Sequence, residues 1–297
     1  MQTLSRLITY NEHSRNNPPQ FTVKSGEIFR ANTELATGSW LNSIDDIWTR
    51  DKTTASNPTV VVGIEDAKPG DMLAVEILKV VPDKLGYTGF DNHPGNLAKK
   101  VIDRDWGHNV RTLAICDKHI HWSDSLKLPI KPMVGTLGTA PADKNIGNTY
   151  GGVHGGNMDV QEVCPGSTVY LPVEVDSALL HIGDAHALQG DGEINGSGGI
   201  ECRAEVMLRA TVLKRPSEMR CVRIENADYI MTVACEATVD ASFLLACEQM
   251  VNWMAASYDF SVEEAYLLMG QVMEARNTQF VNPTSSYICK MPKKFLV

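Results

Sequence analysis

Two stretches of this chain share one pattern: Ala67–Ile77 reads AKPGDMLAVEI and Val163–Val173 reads VCPGSTVYLPV. In each stretch a Pro-Gly pair precedes a run in which polar and apolar residues alternate. Proline favours the first central position of a β-turn and glycine the second, while alternation is typical of a strand with one buried face. The pattern therefore predicts a turn followed by a strand, twice, with the Pro-Gly pairs 96 residues apart.

A third, weaker copy of the pattern is Val23–Phe29, which reads VKSGEIF. The recurrence indicates an internal duplication of the chain. The alternative is that Pro-Gly followed by a polar residue simply precedes strands in many β proteins. Other segments alternate in the same way, and glycine and proline separate them at short intervals, as in a β-sandwich or barrel. The clearest alternating segments are Leu73–Val80, Thr168–Val175 and Ala204–Leu213.

The C-terminal part of the chain has a different pattern. Residues 242–256 form an apolar segment of helical length, and Ser261 with Glu264 makes a capping box that begins a second helix, running to Met273. The many methionines and leucines here indicate core packing rather than a cofactor site. Further on, Val281-Asn-Pro and Met291-Pro are typical of strand ends that return to the β region.

These patterns predict one domain over residues 1–297, mainly β with C-terminal α-helices (α+β) and with an intertwined, duplicated β architecture. Its parts are a β-rich region over 20–240, a helical segment over 241–275 and a C-terminal return over 276–297. The sequence has no Pro/Ser-rich linker that would separate two independent units.

Composition and charge exclude several functional classes. The net charge of −9 and the lack of a Lys/Arg cluster exclude nucleic acid as the main partner. No apolar run approaches the roughly 20 residues of a membrane span, and the N-terminus has no apolar segment after its first charge. We therefore expect neither a membrane partner nor a signal peptide. The seven cysteines are odd in number and form no C-x-x-C, which favours reduced, buried thiols in a cytoplasmic protein.

Residues suited to catalysis concentrate between His154 and Glu201, where histidines and carboxylates alternate with glycines. Glycine lets the backbone approach a ligand closely, so this composition is typical of a metal or acid–base site. Asn157 and Asp159 are two residues apart and share a face if the segment is extended. Either Asp159 binds a metal or substrate, or the segment is a Gly-rich hairpin with ordinary Asn/Asp turn chemistry.

Two more pairs follow in the same stretch. Asp184 and His186 can ligate one divalent ion, or the carboxylate can orient the ring, or the two can be a satisfied polar pair at a turn. Asp191 and Glu193 lie in a Gly-rich turn, where two carboxylates are costly to place together unless a cation or proton lies between them. A structural calcium-type turn would use the same oxygen ligands. Glu193 is the predicted general base and acid.

A weaker candidate metal pair is His119 and His121, two residues apart on a probable strand with no glutamate at cupin spacing. The sequence contains no G-x-x-x-x-G-K phosphate loop and no G-x-S-x-G nucleophile elbow. No pattern near the cysteines predicts a lowered thiol pKa, so a cysteine nucleophile has no support.

Several phrases occur in order along most of the chain. They are Asn57-Pro, Ile64–Ile77, Met133–Pro141, His154–Asp159, Pro165–Val173, Gly183–His186, Gln189–Glu193 and Tyr258–Ala265. Together they resemble the acetamidase/formamidase family. The resemblance implies a β-rich fold with two intertwined repeats, and hydrolysis of short amides such as formamide or acetamide to carboxylate and ammonia. The segment Gly86–Gly95 departs from the family's pattern.

The resemblance and the polar stretch together predict a metal-assisted amidohydrolase. Asp159, Asp184 and His186 would bind a divalent ion that polarises the carbonyl or lowers the pKa of water. Mixed nitrogen and oxygen ligands favour Zn²⁺, with Ca²⁺ or Mg²⁺ as alternatives if the ligands are all oxygen. The functional alternatives are hydrolysis of a larger or cyclic amide, and a non-catalytic β-module that binds a metal or ligand. We also expect a homodimer or higher homo-oligomer, with the apolar C-terminal helices as an interface.

The predicted catalytic roles belong to three side chains. Glu193 would accept the proton of water and deliver it to the leaving nitrogen, and Asp191 would orient Glu193 or the water. Asn157 would stabilise the oxyanion, together with backbone N–H groups at Gly155–Gly156.

Overall fold

The computed structural model of this chain describes residues 1–90, Leu97, Val101 and residues 107–296. The segment Gly86–Gly95 is thus described only as far as Phe90, and its remainder lies outside the described residues. The strands are β1 (Thr3–Leu4), β2 (Glu12–His13), β3 (Thr22–Val23), β4 (Ile28–Thr33), β5 (Thr59–Ile64), β6 (Asp71–Phe90), β7 (Asn109–Cys116), β8 (His119–His121), β9 (Lys127–Pro129), β10 (Met133–Gly138), β11 (Ile146–Gly147), β12 (Gly151–Gly152), β13 (Gly155–Asn157), β14 (Thr168–Pro172), β15 (Leu180–His186), β16 (Ser197–Lys214), β17 (Val222–Glu225), β18 (Tyr229–Glu236), β19 (Glu274–Gln279) and β20 (Ser285–Pro292). Two helices follow β18, α1 (Val239–Ser257) and α2 (Val262–Val272), and 3₁₀ turns lie at Arg50–Lys52 and Lys293–Phe295.

The predicted class, mainly β with C-terminal helices, is confirmed. All the strands except β2 and β11 belong to one hydrogen-bonded network, and those two pair with each other. The longest strand pair of the network is the antiparallel pair β6–β16, which extends from Asp71 opposite Lys214 to Gly89 opposite Ser197. Both strands are longer than the alternating segments from which they were predicted. Three irregularities in their pairing let them bend and continue beyond those segments.

The predicted turns before the strands are present. In two of them the N–H of Asp71 donates to the carbonyl of Lys68 (3.0 Å), and the N–H of Ser167 to that of Cys164 (3.1 Å). The glycine of each turn has a positive φ, 91° at Gly70 and 92° at Gly166, which explains why glycine stands there. The Ser-Gly copy at residues 25–26 has the same turn, with φ 82° at its glycine.

The two halves of the duplication are intertwined through these turns. The first part of β6 pairs antiparallel with β14, from Met72 opposite Pro172 to Glu76 opposite Thr168. The N–H of Gly70 donates to the carbonyl of Val173, and the N–H of Gly166 donates to that of Ile77. Each repeat therefore completes the strand pairing of the other, so the intertwined, duplicated architecture is confirmed.

Local signals place both helices. Thr238 caps α1 by accepting a hydrogen bond from the N–H of Ala241. At α2 both bonds of the predicted capping box are present, each 3.1 Å long, between Ser261 and Glu264. Met250 and Met254 of α1 are buried against the sheet, which agrees with their predicted role in the core. Strands β19 and β20 then return to the β network as predicted.

The main core lies between the paired strands and consists largely of valine, leucine and isoleucine. Of the seven cysteines, Cys202, Cys221, Cys235 and Cys289 are buried, whereas Cys116 is exposed, so the prediction of buried thiols is wrong for Cys116. Its position at the end of β7 places it beside a solvent-facing turn. Across the described residues, no helix has the length and apolar character needed to cross a membrane.

Candidate active site

Five buried ionisable side chains lie together at one end of the β15–β16 pair. They are Asp159, Asp184, His186, Glu193 and Glu201, and none is more than 6% exposed. They form two overlapping groups that share His186, and within each group one potential ligand atom per residue lies within 4.8 Å of the others. Four carboxylates and one imidazole removed from water need a compensating cation or protons.

Two strands and two loop segments supply these residues. Asp184 and His186 are on β15, and His186 is directly opposite Met133 of β10 and Glu201 of β16. Asp159 lies just beyond β13, and Glu193 is in the loop that joins β15 to β16. The pairing brings the Nε2 atom of His186 to 3.2 Å from Oε1 of Glu201 and 3.6 Å from Oδ1 of Asp184.

The backbone is strained at this cluster. Asp159, Asp184 and Glu193 have φ angles of 48°, 55° and 38°, in the left-handed region that residues with a Cβ rarely adopt. Such conformations cost of order 1–3 kcal/mol each and are found preferentially at active sites and ligand-binding sites. At Asp184 the distortion lies inside a strand, where it changes the direction of the side chain.

Two glycines leave room for the cluster. A Cβ at Gly135 would contact Asp159 and would lie 2.6 Å from Oδ2 of Asp184. A Cβ at Gly198 would contact Glu193 and would lie 2.9 Å from Oε1 of Glu201. Both distances are below those of ordinary contacts, so these positions can hold only glycine while the carboxylates stay in place.

Neutral side chains orient the charged ones. The Nδ1 atom of His186 lies 3.0 Å from Oε1 of Gln189, and the Nε2 of Gln189 donates to the backbone carbonyl of Asp159 (2.9 Å). Because the amide oxygen can only accept, Nδ1 of His186 carries a hydrogen, and Nε2 is the atom directed to the carboxylates. Asn282 donates a hydrogen bond to Oδ2 of Asp159.

Asn157 and Asp184 share one partner. The hydroxyl of Thr136 donates to Oδ1 of Asn157 and lies 3.4 Å from Oδ2 of Asp184. The Nδ2 atom of Asn57 lies 3.4 Å from the same oxygen of Asp184. These contacts fix the Asn157 amide with its nitrogen available to a ligand, since its oxygen is already engaged.

Several buried atoms of the cluster have no hydrogen-bond partner among the residues that the structure describes. They are Oδ1 of Asp159, Oδ1 of Asp184, Nε2 of His186, Oε2 of Glu193 and Oε2 of Glu201. Unpaired buried polar atoms are rare because each carries the cost of desolvation. Their concentration in one place indicates a site for a cation or for polar ligands.

The protonation of the cluster follows from burial and mutual repulsion. Burial, followed by the charge of Asp184, raises the pKa of Asp159 to about 7. Burial and then Asp159 raise the pKa of Glu193 well above its usual value, and burial with Glu201 raises that of Asp184. Burial disfavours the charged imidazole of His186, yet Glu201 and Asp184 outweigh it and raise its pKa well above the usual value. In the absence of a cation, the site therefore retains protons at neutral pH.

A cavity of about 320 Å³ opens beside the cluster. Its lining includes Asp159, Asp184, Glu193 and Glu201, together with Tyr87. The side-chain amides of residues 57, 157 and 282 also line it. A small polar molecule in this cavity would thus lie between carboxylates and neutral hydrogen-bond donors.

The structure brings together five of the six predicted site residues: Asn157, Asp159, Asp184, His186 and Glu193. Asp191 is the exception, and the structure does not place it in the cluster where it was predicted to orient Glu193 or water. Its side chain is 70% exposed and forms an ion pair with Arg276 (2.8 Å) on the surface. Between Asp191 and Glu193 the backbone turns at Gly192, which has φ 82°, and Glu193 is buried whereas Asp191 is exposed.

Other expectations are also corrected. Gly155 and Gly156 pair with β10 in the sheet and do not line the cavity, so they are not placed to form an oxyanion site. Glu201 and Asn282 belong to the site and were missed. Glu201 stands at the end of the polar stretch, and its pairing with His186 is the signal that would have identified it. Asn282 lies more than 120 residues from Asp159 in sequence and carries no local signal.

A sequence model of the acetamidase/formamidase family matches residues 5–150 and 148–295. The chain belongs to the acetamidase/formamidase family. The crystal structure of an acetamidase from Bacillus halodurans is 31% identical, with a TM-score of 0.92 over 99% of this chain and 98% of that chain. The family likeness therefore extends over the whole described fold, including the strands that form the carboxylate cluster.

Two curated members of the family are also similar in sequence. A formamidase of Methylophilus methylotrophus is 27% identical over 65% of this chain and 61% of its own length. An acetamidase of Mycolicibacterium smegmatis is 26% identical over 66% of this chain and 64% of its own length. The chain thus spans less than two thirds of the length of these curated relatives.

Proposed function

We propose that this chain is an amidohydrolase that cleaves short linear amides, of the formamide or acetamide type, to a carboxylate and ammonia. The observation that carries the proposal is the buried cluster of one imidazole and four carboxylates beside a cavity lined by side-chain amides. Amide hydrolysis needs a base that activates water, an acid that protonates the leaving nitrogen, and donors for the oxyanion. The named activities of the relatives, formamidase and acetamidase, support the same class of substrate.

The size of the cavity supports a small substrate. Ligand sites for drug-sized molecules occupy roughly 300–1,000 Å³, and this cavity, at about 320 Å³, lies at the lower limit. A substrate of a few heavy atoms plus the attacking water fits within it. The alternative substrate, a larger or cyclic amide, would fill the cavity and leave less room for that water.

The residues of the cluster fit a divalent cation. Asp159, Asp184 and His186 would hold it, since each has a buried ligand atom without a hydrogen-bond partner in the described part of the chain. Glu201 lies next to this set, with its Oε1 3.2 Å from Nε2 of His186. The mixed nitrogen and oxygen donors favour Zn²⁺ over Ca²⁺ or Mg²⁺. A bound ion would supply Lewis-acid chemistry, polarising the amide carbonyl and lowering the pKa of water toward about 7.

Proton transfer is assigned to Glu193. Its carboxylate is buried, lines the cavity and has one oxygen without a partner. Burial raises its pKa well above the usual value, so it binds a proton readily and can hand it to the leaving nitrogen. Asn157, with its oxygen engaged by Thr136, is left to donate from its nitrogen to the developing oxyanion. One such donor is worth on the order of 3 kcal/mol in other hydrolases.

The test is ammonia release from formamide, acetamide and a panel of larger and cyclic amides. Metal-stripped protein is measured with and without added Zn²⁺, Mn²⁺ or Ca²⁺. We expect turnover of the short amides and its recovery on addition of one metal, with Zn²⁺ most effective. Preference for a cyclic amide would overturn the substrate class. The absence of ammonia under every condition would favour a β-module that only binds a metal or ligand.

A matched pair of substitutions tests the assignment of Glu193. Glu193→Gln keeps the size of the side chain but removes its proton transfer, and we expect turnover to fall by about 10²–10⁴-fold. Asp191→Asn, two residues away on the surface, is the control and should retain turnover close to wild type. Full turnover in Glu193→Gln would refute the role, and equal loss in both variants would show that the assay reports disruption of the loop.

We also propose that the chain acts in the cytoplasm and forms a homo-oligomer. All seven cysteines are free thiols, which suits a reducing compartment. Leu244 of α1 and Tyr266 and Leu267 of α2 are each about two-thirds exposed, and apolar surface of this kind favours self-association. Sedimentation of wild type against a Tyr266→Lys, Leu267→Lys variant tests the second point, since a monomer in both cases contradicts it.

A further inference from the structure

A β-hairpin formed by β7 and β8 presents a second group of metal-ligating side chains. Strands β7 and β8 are joined by the two residues Asp117 and Lys118, whose φ angles of 51° and 63° are those of a type I′ turn. In this hairpin Cys116 is directly opposite His119. Because residues two apart on a strand share a face, His121 lies on the same face as His119 and Cys116.

The other face of the hairpin is anchored in the core. Ile115 and Ile120 are directly opposite each other, and both are buried, in a cluster that includes Leu113 and Cys202. This packing fixes the backbone from which the ligating side chains project. The ligating face is therefore organised without any contribution from a bound ion.

The side chains on the exposed face are already close together. The Sγ atom of Cys116 lies 3.1 Å from Nε2 of His121. One ligand atom each from Cys116, Asp117 and His121 lies within 4.8 Å of the others. The Nδ1 atom of His119 lies 2.7 Å from the backbone carbonyl of Asp117, which holds that ring beside the group.

We propose that this hairpin binds a borderline divalent cation, Zn²⁺ or its substitute Co²⁺, through Sγ of Cys116, Nε2 of His121 and the carboxylate of Asp117. A thiolate with an imidazole selects such cations over Ca²⁺ and Mg²⁺, which take oxygen ligands. Binding converts the Cys116 thiol to the thiolate and releases one proton to solvent. Three protein ligands leave one position of a tetrahedral site for water.

The hairpin site is separate from the carboxylate cluster, and its chemistry allows the two to be distinguished. The residues grouped at the cluster are aspartates, glutamates and a histidine, with no thiol among them. Cobalt bound at the cluster would therefore give no thiolate-to-cobalt charge-transfer absorbance. Cobalt bound at the hairpin would give this near-ultraviolet band, because Cys116 would be a ligand.

The experiment is a titration of the metal-stripped full chain with Co²⁺, followed by the charge-transfer band. Wild type should develop the band as one equivalent of cobalt fills the hairpin, separate from any cobalt that the carboxylate cluster takes up without a band, and Zn²⁺ should abolish it by displacement. Cys116→Ser should lose the band completely, and His121→Ala should weaken cobalt binding at this site at least tenfold. Cys164→Ser, which removes a half-buried thiol elsewhere, is the matched control and should retain the band.

Ammonia release from the short amides checks that each variant is folded. Cys116→Ser and His121→Ala should keep it, because neither residue belongs to the carboxylate cluster. The proposal is overturned if wild type shows no thiolate band at saturating Co²⁺, or if the band survives in Cys116→Ser. A band with wild-type affinity in His121→Ala would likewise exclude the proposed ligand set.

Discussion

A cluster of buried histidines makes this fold sensitive to acid. The ring of His13 lies 4.9 Å from that of His154 and 4.5 Å from that of His181, measured between centroids, and none of the three is more than 2% exposed. Burial, followed by the charge of Lys144, lowers the pKa of His154 to about 4. Burial also lowers the pKa of His181 to about 4. At neutral pH we therefore expect these rings to be uncharged in the folded protein.

The sign and size of the change in unfolding free energy with pH follow from the linkage between proton binding and unfolding. A histidine that titrates near 6.5 when unfolded and near 4 when folded is protonated first in the unfolded chain, so acid favours unfolding. The free energy of unfolding begins to fall below about pH 6.5 and levels off below about pH 4. One such histidine costs about 2 kcal/mol at pH 5 and about 3 kcal/mol once the full shift is expressed.

The variant His154→Gln isolates one of these contributions. Its free energy of unfolding is compared with that of wild type by chemical denaturation at about pH 7.5 and about pH 5. The difference between the two proteins should shift by about 2 kcal/mol in favour of the variant at the lower pH. The carboxylate cluster titrates with the opposite sign, but it is present in both proteins and cancels from the comparison.

Val153→Ala, which changes a neighbouring side chain without a titratable group, is the control and should show a difference from wild type that does not vary with pH. A constant difference between wild type and His154→Gln at the two pH values would refute the reasoning. It would mean that His154 carries the same charge in the folded and unfolded chain, and hence that burial does not keep the ring neutral.

Two substitutions at glycine test further features. Gly135→Ala would place a methyl group 2.6 Å from Oδ2 of Asp184, so turnover and metal affinity should each fall at least tenfold, as measured by ammonia release and metal titration. Gly190→Ala, where a Cβ meets no atom within 4 Å, is its control, and equal loss in both would contradict the argument. Gly270→Ala in α2 also meets no atom and should raise the free energy of unfolding by about 1 kcal/mol in thermal or chemical denaturation; a decrease would show that the helix end needs glycine.

The sequence predicted those parts of the fold that depend on neighbouring residues. The turn at Pro69-Gly70 and the capping box at Ser261 are local, because the side chains and φ angles that form them lie within four residues. Strand pairing is not local. Nothing in the sequence of β6 indicates that β14 and β16 are its neighbours, since that choice depends on how the whole core packs.

The candidate site shows the same division. One polar stretch of the sequence predicts Asp159, Asp184, His186 and Glu193, and the structure brings them together. The closeness of Asp191 to Glu193 in sequence does not bring Asp191 into the cluster. The backbone turns at Gly192 and Glu193, both with positive φ, and the Asp191 carboxylate pairs with Arg276 on the surface.

The intertwined pairing has a consequence for the chain as it is synthesised. The first part of β6, from Met72 to Glu76, has both of its neighbours much later in sequence: β14, and the part of β16 from Arg209 to Leu213. Pro172, the partner of Met72, is synthesised 100 residues later. At ribosomal rates this delay is about 5–20 s. During that time an apolar strand has two unpaired edges, a state prone to aggregation. Nascent chains of this protein should therefore depend on chaperones until the second repeat emerges.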